Sequence, residues 1–134
     1  MKQHVRDAMV PEPGALEAND SAQAAGERLS DPAVRAVLVC DDGKLLGVVT
    51  RKTLVRQVVA TGRDPGTTPL QEIAEPPLFT IEASTDLDEA FRMLEDQDLE
   101  RVPVVEDGRL VGILSRTVLQ RRLAEDEPPG ELED

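Results

Sequence analysis

Along DLDEAFRMLEDQ, residues 86–97, the apolar positions Leu87, Ala90, Phe91 and Leu94 recur at spacings of three and four. That period places them on one stripe of a helix. The polar run Ser84-Thr85-Asp86 ahead of it supplies capping side chains, and Asn19-Asp20-Ser21 does the same for an earlier helix. Short extended pieces precede both caps, Ala15–Ala18 and Leu78–Ala83. Downstream, two pairs of apolar runs are interrupted by DDGK and EDGR, and Asp-Gly between β-branched runs predicts a tight hairpin. Each hairpin leads into a further helix beginning at Thr50 or Ser115.

These patterns are two copies of one unit. VLVCDDGKLLGVVTRKTL, Val37 to Leu54, lies without gaps over VPVVEDGRLVGILSRTVL, Val102 to Leu119, at an offset of 65. Val37/Val102, Val39/Val104, Asp42/Asp107, Gly43/Gly108, Leu45/Leu110, Gly47/Gly112, Arg51/Arg116 and Leu54/Leu119 are identical. A repeat of this kind is a fold-level signal. The order predicted for each copy is β-α-β-β-α, an α+β fold of two tandem repeats packed with pseudo-twofold symmetry. We divide the chain into a first repeat, 1–64, a second repeat, 65–123, and an acidic tail, 124–134. The Gly- and Pro-rich segment Ala60–Pro69 reads as the connector.

Composition narrows the classes. The 134 residues carry 27 acids and 15 bases, a net charge of −12, with no Trp or Tyr and only two Phe. An acidic surface repels phosphate backbones and anionic lipid, so nucleic acid and membrane are not expected partners. The tail holds six of the acids and no base and is expected to be solvated and disordered. No apolar run reaches the roughly 20 residues of a membrane span, and a single cysteine, Cys40, forms no internal disulfide. A cytoplasmic protein is expected. His4, the one histidine, falls in a terminus expected to fray, and no Cys/His cluster has metal-ligand spacing. We therefore expect no metal site, no catalytic residues and no enzyme.

The strand-to-helix junctions carry the candidate chemistry. Arg51 and Lys52 follow Thr50, and Arg116 follows Ser115, at the amino ends of helices. A helix amino end already holds about half a positive charge, so cations there are unfavourable unless an anion joins them. Gly43 to Arg63 and Gly108 to Leu123 contain no acid. A plain structural reading stands beside this one: Thr50 and Ser115 serve as N-caps, and the cations are solvated or paired with acids such as Glu12 or Glu100.

Tandem repeats of this length, each with a hydrophobic-Asp-Gly-hydrophobic hairpin and a Gly-x-x-Thr/Ser turn into a helix, resemble a CBS-domain pair, or Bateman module. The resemblance spans residues 6 to 123. It implies a regulatory, ligand-sensing module that binds AMP, ADP, ATP or S-adenosylmethionine in clefts between the repeats, holds no covalent cofactor, assembles as a homodimer and acts on a regulated protein. It also implies phosphate contacts from Thr50, Arg51, Lys52, Ser115, Arg116 and Arg101. The ribose-binding Asp of adenosine-binding relatives falls here at Thr53, which retains a hydroxyl for a weaker contact, and at Val118, which has none. The alternative is a ligand-free dimeric interaction or scaffold module.

Overall fold

The computed structural model describes residues 3–11, 14–77 and 79–125. The elements run α1 (Val5–Ala8), β1 (Leu16–Glu17), α2 (Ala22–Leu29), β2 (Val37–Asp41), β3 (Lys44–Val49), α3 (Arg51–Leu54), β4 (Ile81–Glu82), α4 (Leu87–Asp96), β5 (Arg101–Glu106), β6 (Arg109–Ser115) and α5 (Arg116–Glu125). Helix α3 continues as a π-helical turn, Val55–Val59, and a 3-10 turn spans Leu70–Glu72. The β-α-β-β-α order is therefore observed twice within a mixed α+β fold. Strands β1 and β4 have two residues each, shorter than the extended pieces read from the sequence, because only Leu16–Glu17 and Ile81–Glu82 stay in register with β2 and β5.

Both hairpins turn on Asp-Gly. Asp42 and Gly43 have φ of 51° and 85°, and Asp107 and Gly108 have 54° and 78°. Two consecutive positive φ values match the right-handed twist of the flanking strands, which is why Asp-Gly stands there.

The chain divides into two compact units, and their borders are not those of the repeats. One, the first-repeat unit, holds residues 14–77 with 108–110; the other, the second-repeat unit, holds 3–11, 79–107 and 111–125. In the first, β1 is parallel to β2, β2 is antiparallel to β3, and Lys44 pairs with Arg109 at the tip of β6. Its core is Ala22, Ala25, Leu29, Val37, Val39, Val49, Val58, Leu70 and Ile73. In the second, β4 is parallel to β5 and β6 flanks β5. Its core gathers Val5, Ile81, Leu87, Ala90, Leu94, Val102, Val104, Leu114 and Leu119.

Each unit thus consists of one repeat's β-α-β-β-α body closed by the lead-in segment of the other repeat. The same bonds recur 65 residues apart. Val5 donates its N–H to the Thr85 carbonyl and Leu70 to that of Asp20, both at 2.8 Å; Arg6 donates to Ala83 and Gln71 to Ala18, both at 3.0 Å. Further along, Val10 and Ile113 exchange two bonds of 2.9 and 2.8 Å, as Glu75 and Val48 do at 3.0 and 2.7 Å. Val5 and Leu70 are fully buried, contributing roughly 1.5–3 kcal/mol each.

That closure overturns the expectation of a frayed N-terminus. His4 starts α1, its N–H bonded to Asp7 Oδ2 at 2.9 Å, and its Nε2 lies 3.5 Å from Asp86. The connector likewise ends as structure, with Thr68 buried and its hydroxyl donating to the Asp64 carbonyl at 2.7 Å. Of the tail, Ala124 and Glu125 end α5, and 126–134 lie outside the described residues.

Candidate functional site

At the first junction β3 gives way to α3 at Thr50, whose extended backbone (φ −117°, ψ 174°) makes it the N-cap. Its Oγ1 accepts from the Thr53 N–H at 3.2 Å, and Thr53 Oγ1 accepts from the Thr50 N–H at 3.0 Å. This reciprocal capping box satisfies two amides that the helix end would otherwise leave bare. Thr53 is only 2% exposed, so its hydroxyl is spent on the cap and turned away from solvent. Arg51 and Lys52 are exposed; Arg51 donates to the Asp31 carbonyl at 2.9 Å. Among the described residues neither cation has a carboxylate within 4 Å. Glu12, a partner weighed from sequence, lies outside the described residues.

The second junction is built differently. Ser115 Oγ accepts from the Val118 N–H at 3.4 Å, a longer cap, and the N–H of Arg116 is taken by the Glu100 carbonyl at 2.8 Å. The Arg116 guanidinium bonds to the Glu100 carboxylate and lies 3.5 Å from Asp98. Glu100's hydrogen bond, the largest influence, raises the Arg116 pKa above its ordinary value. Two carboxylates therefore neutralise this cation. Val118 is apolar and half-buried, and Arg101 opens β5 exposed to solvent.

The difference traces to the loop after each repeat's first helix. Helix α4 ends with Asp98 at φ 52° and the Leu99 N–H bonded to the Leu94 carbonyl at 2.9 Å, a left-handed cap that brings Asp98 and Glu100 to Arg116. Sixty-five residues earlier the same positions are Ala33 and Arg35. The sequence reading named Glu100 but missed Asp98 and the role of Asp31; comparing the two loops at the repeat offset would have found Asp98.

A protein-family model described as CBS domain matches residues 5–60 and 70–125. The chain belongs to the CBS-domain family. Hypoxic response protein 1 of Mycobacterium tuberculosis is 30% identical over 108 residues, covering 80% of this chain and 76% of that protein. A crystal structure of Hypoxic Response Protein I with two coordinated zinc ions superposes with a TM-score of 0.72 at 26% identity, covering 90% of this chain and 98% of that one. CBSX2 in complex with AMP gives 0.68 at 26% identity, covering 91% and 96%. Within this CBS pair no group of three His, Cys, Asp or Glu side chains fit to hold a metal ion occurs among the described residues. Nor is any described helix long and apolar enough to cross a membrane.

Proposed function

We propose that this CBS pair is a non-catalytic regulatory module, cytoplasmic and homodimeric, that binds the phosphate end of an adenine nucleotide at Thr50, Arg51 and Lys52. One observation carries the reading: Arg51 and Lys52 lack the carboxylates that Asp98 and Glu100 bring to Arg116. Two exposed cations at a capped helix start form an anion site, and among the described residues no carboxylate lies within 4 Å of either to compensate its charge. Arg116, already neutralised, and the capping Ser115 take a structural role in this reading. Arg101 remains a phosphate-facing cation on the family resemblance.

The AMP complex of CBSX2 supports an adenosyl ligand. The fit is uneven, because the phosphate end finds cations while a ribose finds neither an open Thr53 hydroxyl nor any acceptor at Val118. A hydrogen bond to a charged acceptor contributes about 1.5–3 kcal/mol, so its lack weakens binding about tenfold to more than a hundredfold. Phosphate-rich AMP, ADP or ATP is then preferred over S-adenosylmethionine, which carries no phosphate. Binding shifts the module only by its differential affinity for two arrangements, and the regulated protein reads that shift.

Titration calorimetry with AMP, ADP, ATP and S-adenosylmethionine tests this. Heat from the nucleotides, lost in Arg51→Ala with Lys52→Ala, supports it; no heat at millimolar ligand refutes it. The ligand-free scaffold is the second reading, favoured by the closed Thr53 and apolar Val118.

A further inference from the structure

The two strand-to-helix junctions differ by an exchange of charge. Glu100 stands one residue ahead of β5 and Arg116 one residue past β6, the N–H of Arg116 bonded to the Glu100 carbonyl and its guanidinium to the Glu100 carboxylate. At the offset of 65 the first repeat has Arg35 in place of Glu100 and Ala33 in place of Asp98. Arg35 precedes Val37 by two residues, and Arg51 follows Val49, the strand partner of Val37, by two. An acid–base pair in one repeat is thus replaced by two bases at the same positions in the other.

Packing does not require the two carboxylates. The side chains of Asp98 and Glu100 are 94% and 68% exposed, whereas that of Arg116 is 24% exposed. The backbone bond from Arg116 to the Glu100 carbonyl needs no side chain, and the left-handed turn at Asp98, φ 52°, is one that asparagine also adopts. Exposed ion pairs hold weakly and are screened by salt. What the carboxylates do is set negative charge on Arg116 at the start of the ten-residue α5, where an outside anion would otherwise be favoured. From Gly108 to Leu123 the chain contributes no other acid. The junction already holds an anion, and that anion is the chain's own.

We propose that Glu100, assisted by Asp98, is an internal plug that occupies the second junction in place of a phosphate and limits the chain to one phosphate ligand, taken at the first junction. The two acids are then specificity-determining residues of the module. This rests on the anion-site reading of Thr50, Arg51 and Lys52 for the junction left open, and adds why its repeat counterpart is shut. Opened, the second junction takes an inorganic phosphate group rather than a nucleoside, because Val118 offers a ribose no acceptor.

Calorimetric titration with inorganic pyrophosphate tests the plug in the whole chain, its first junction silenced by Arg51→Ala with Lys52→Ala and its fold checked by circular dichroism. With Asp98 and Glu100 in place, this protein gives no heat at millimolar pyrophosphate. Asp98→Asn with Glu100→Gln keeps side-chain size, removes two negative charges and tightens binding about tenfold or more, so that heat appears. Adding Arg116→Ala abolishes it again. A gain of binding does not arise from damage to the fold, and Glu100→Gln alone serves if the paired variant fails to fold. Opened variants that take no pyrophosphate, or that take it equally without Arg116, overturn the plug. So does a silenced protein that binds as tightly with both acids as without them. Nucleotide binding to the wild type is read separately at the first junction, so the proposed function and the plug fail by different results.

Discussion

Replacing Gly47 by alanine should break the closure of the first-repeat unit. Gly47 is buried on β3 where the second repeat's lead-in crosses it, and an added Cβ would meet the Glu75 carbonyl oxygen at 2.5 Å and the Ala74 Cβ at 3.2 Å. No side chain can swing aside, since the nearest obstacle is backbone. Relief requires moving the segment that exchanges two hydrogen bonds with Val48, each contributing about 0.5–1.5 kcal/mol. Overpacking adds about 1–3 kcal/mol. A total of about 2–6 kcal/mol follows, a fall in Tm of roughly 7–21 °C for a domain of this size. Gly26→Ala is the control: in α2 its Cβ meets only Leu54 Cδ1 at 3.7 Å, so ordinary helix propensity stabilises it by about 0.5–1 kcal/mol. Paired thermal melts read both signs at once. A Gly47→Ala protein melting within a degree of the wild type would refute the exchange of lead-ins as a source of stability.

Leu70→Ala, emptying a fully buried position in the other repeat's core, costs about 2–5 kcal/mol in urea unfolding. Thr50→Ala removes the first N-cap and costs about 0.5–2 kcal/mol in the same assay. Arg116 has a raised pKa, so its contribution is complete below its unfolded value and is lost only in strong alkali. Arg116→Gln therefore lowers Tm equally in neutral and mildly alkaline buffer, and a loss confined to one of them would contradict the pairing with Glu100.

The hairpins, the four repeat helices and the junction residues were legible because local chemistry decides them: Asp-Gly turns, capping hydroxyls and a three-four stripe act within a few residues. The lead-ins were not. Val5, Ala8, Leu70 and Ile73 form no periodic run, and their burial comes from partners far along the chain, so His4 and the connector read as loose ends. At the site, the sequence placed Thr50, Arg51 and Lys52 together, yet could not show that Thr53 is buried by its own cap. The neutralisation of Arg116 depends on the left-handed turn at Asp98, a backbone state that single-sequence patterns do not reveal.

The most direct test moves that neutralisation to the first repeat. Ala33→Asp with Arg35→Glu puts carboxylates in the loop before β2, at the repeat equivalents of the Asp98 and Glu100 that neutralise Arg116. Calorimetric titration with ADP should show binding to the wild type and an affinity about tenfold or more weaker in the double variant, as charge-assisted contacts of about 1.5–3 kcal/mol are lost. Equal affinity in the two proteins would contradict an anion site at Thr50, Arg51 and Lys52.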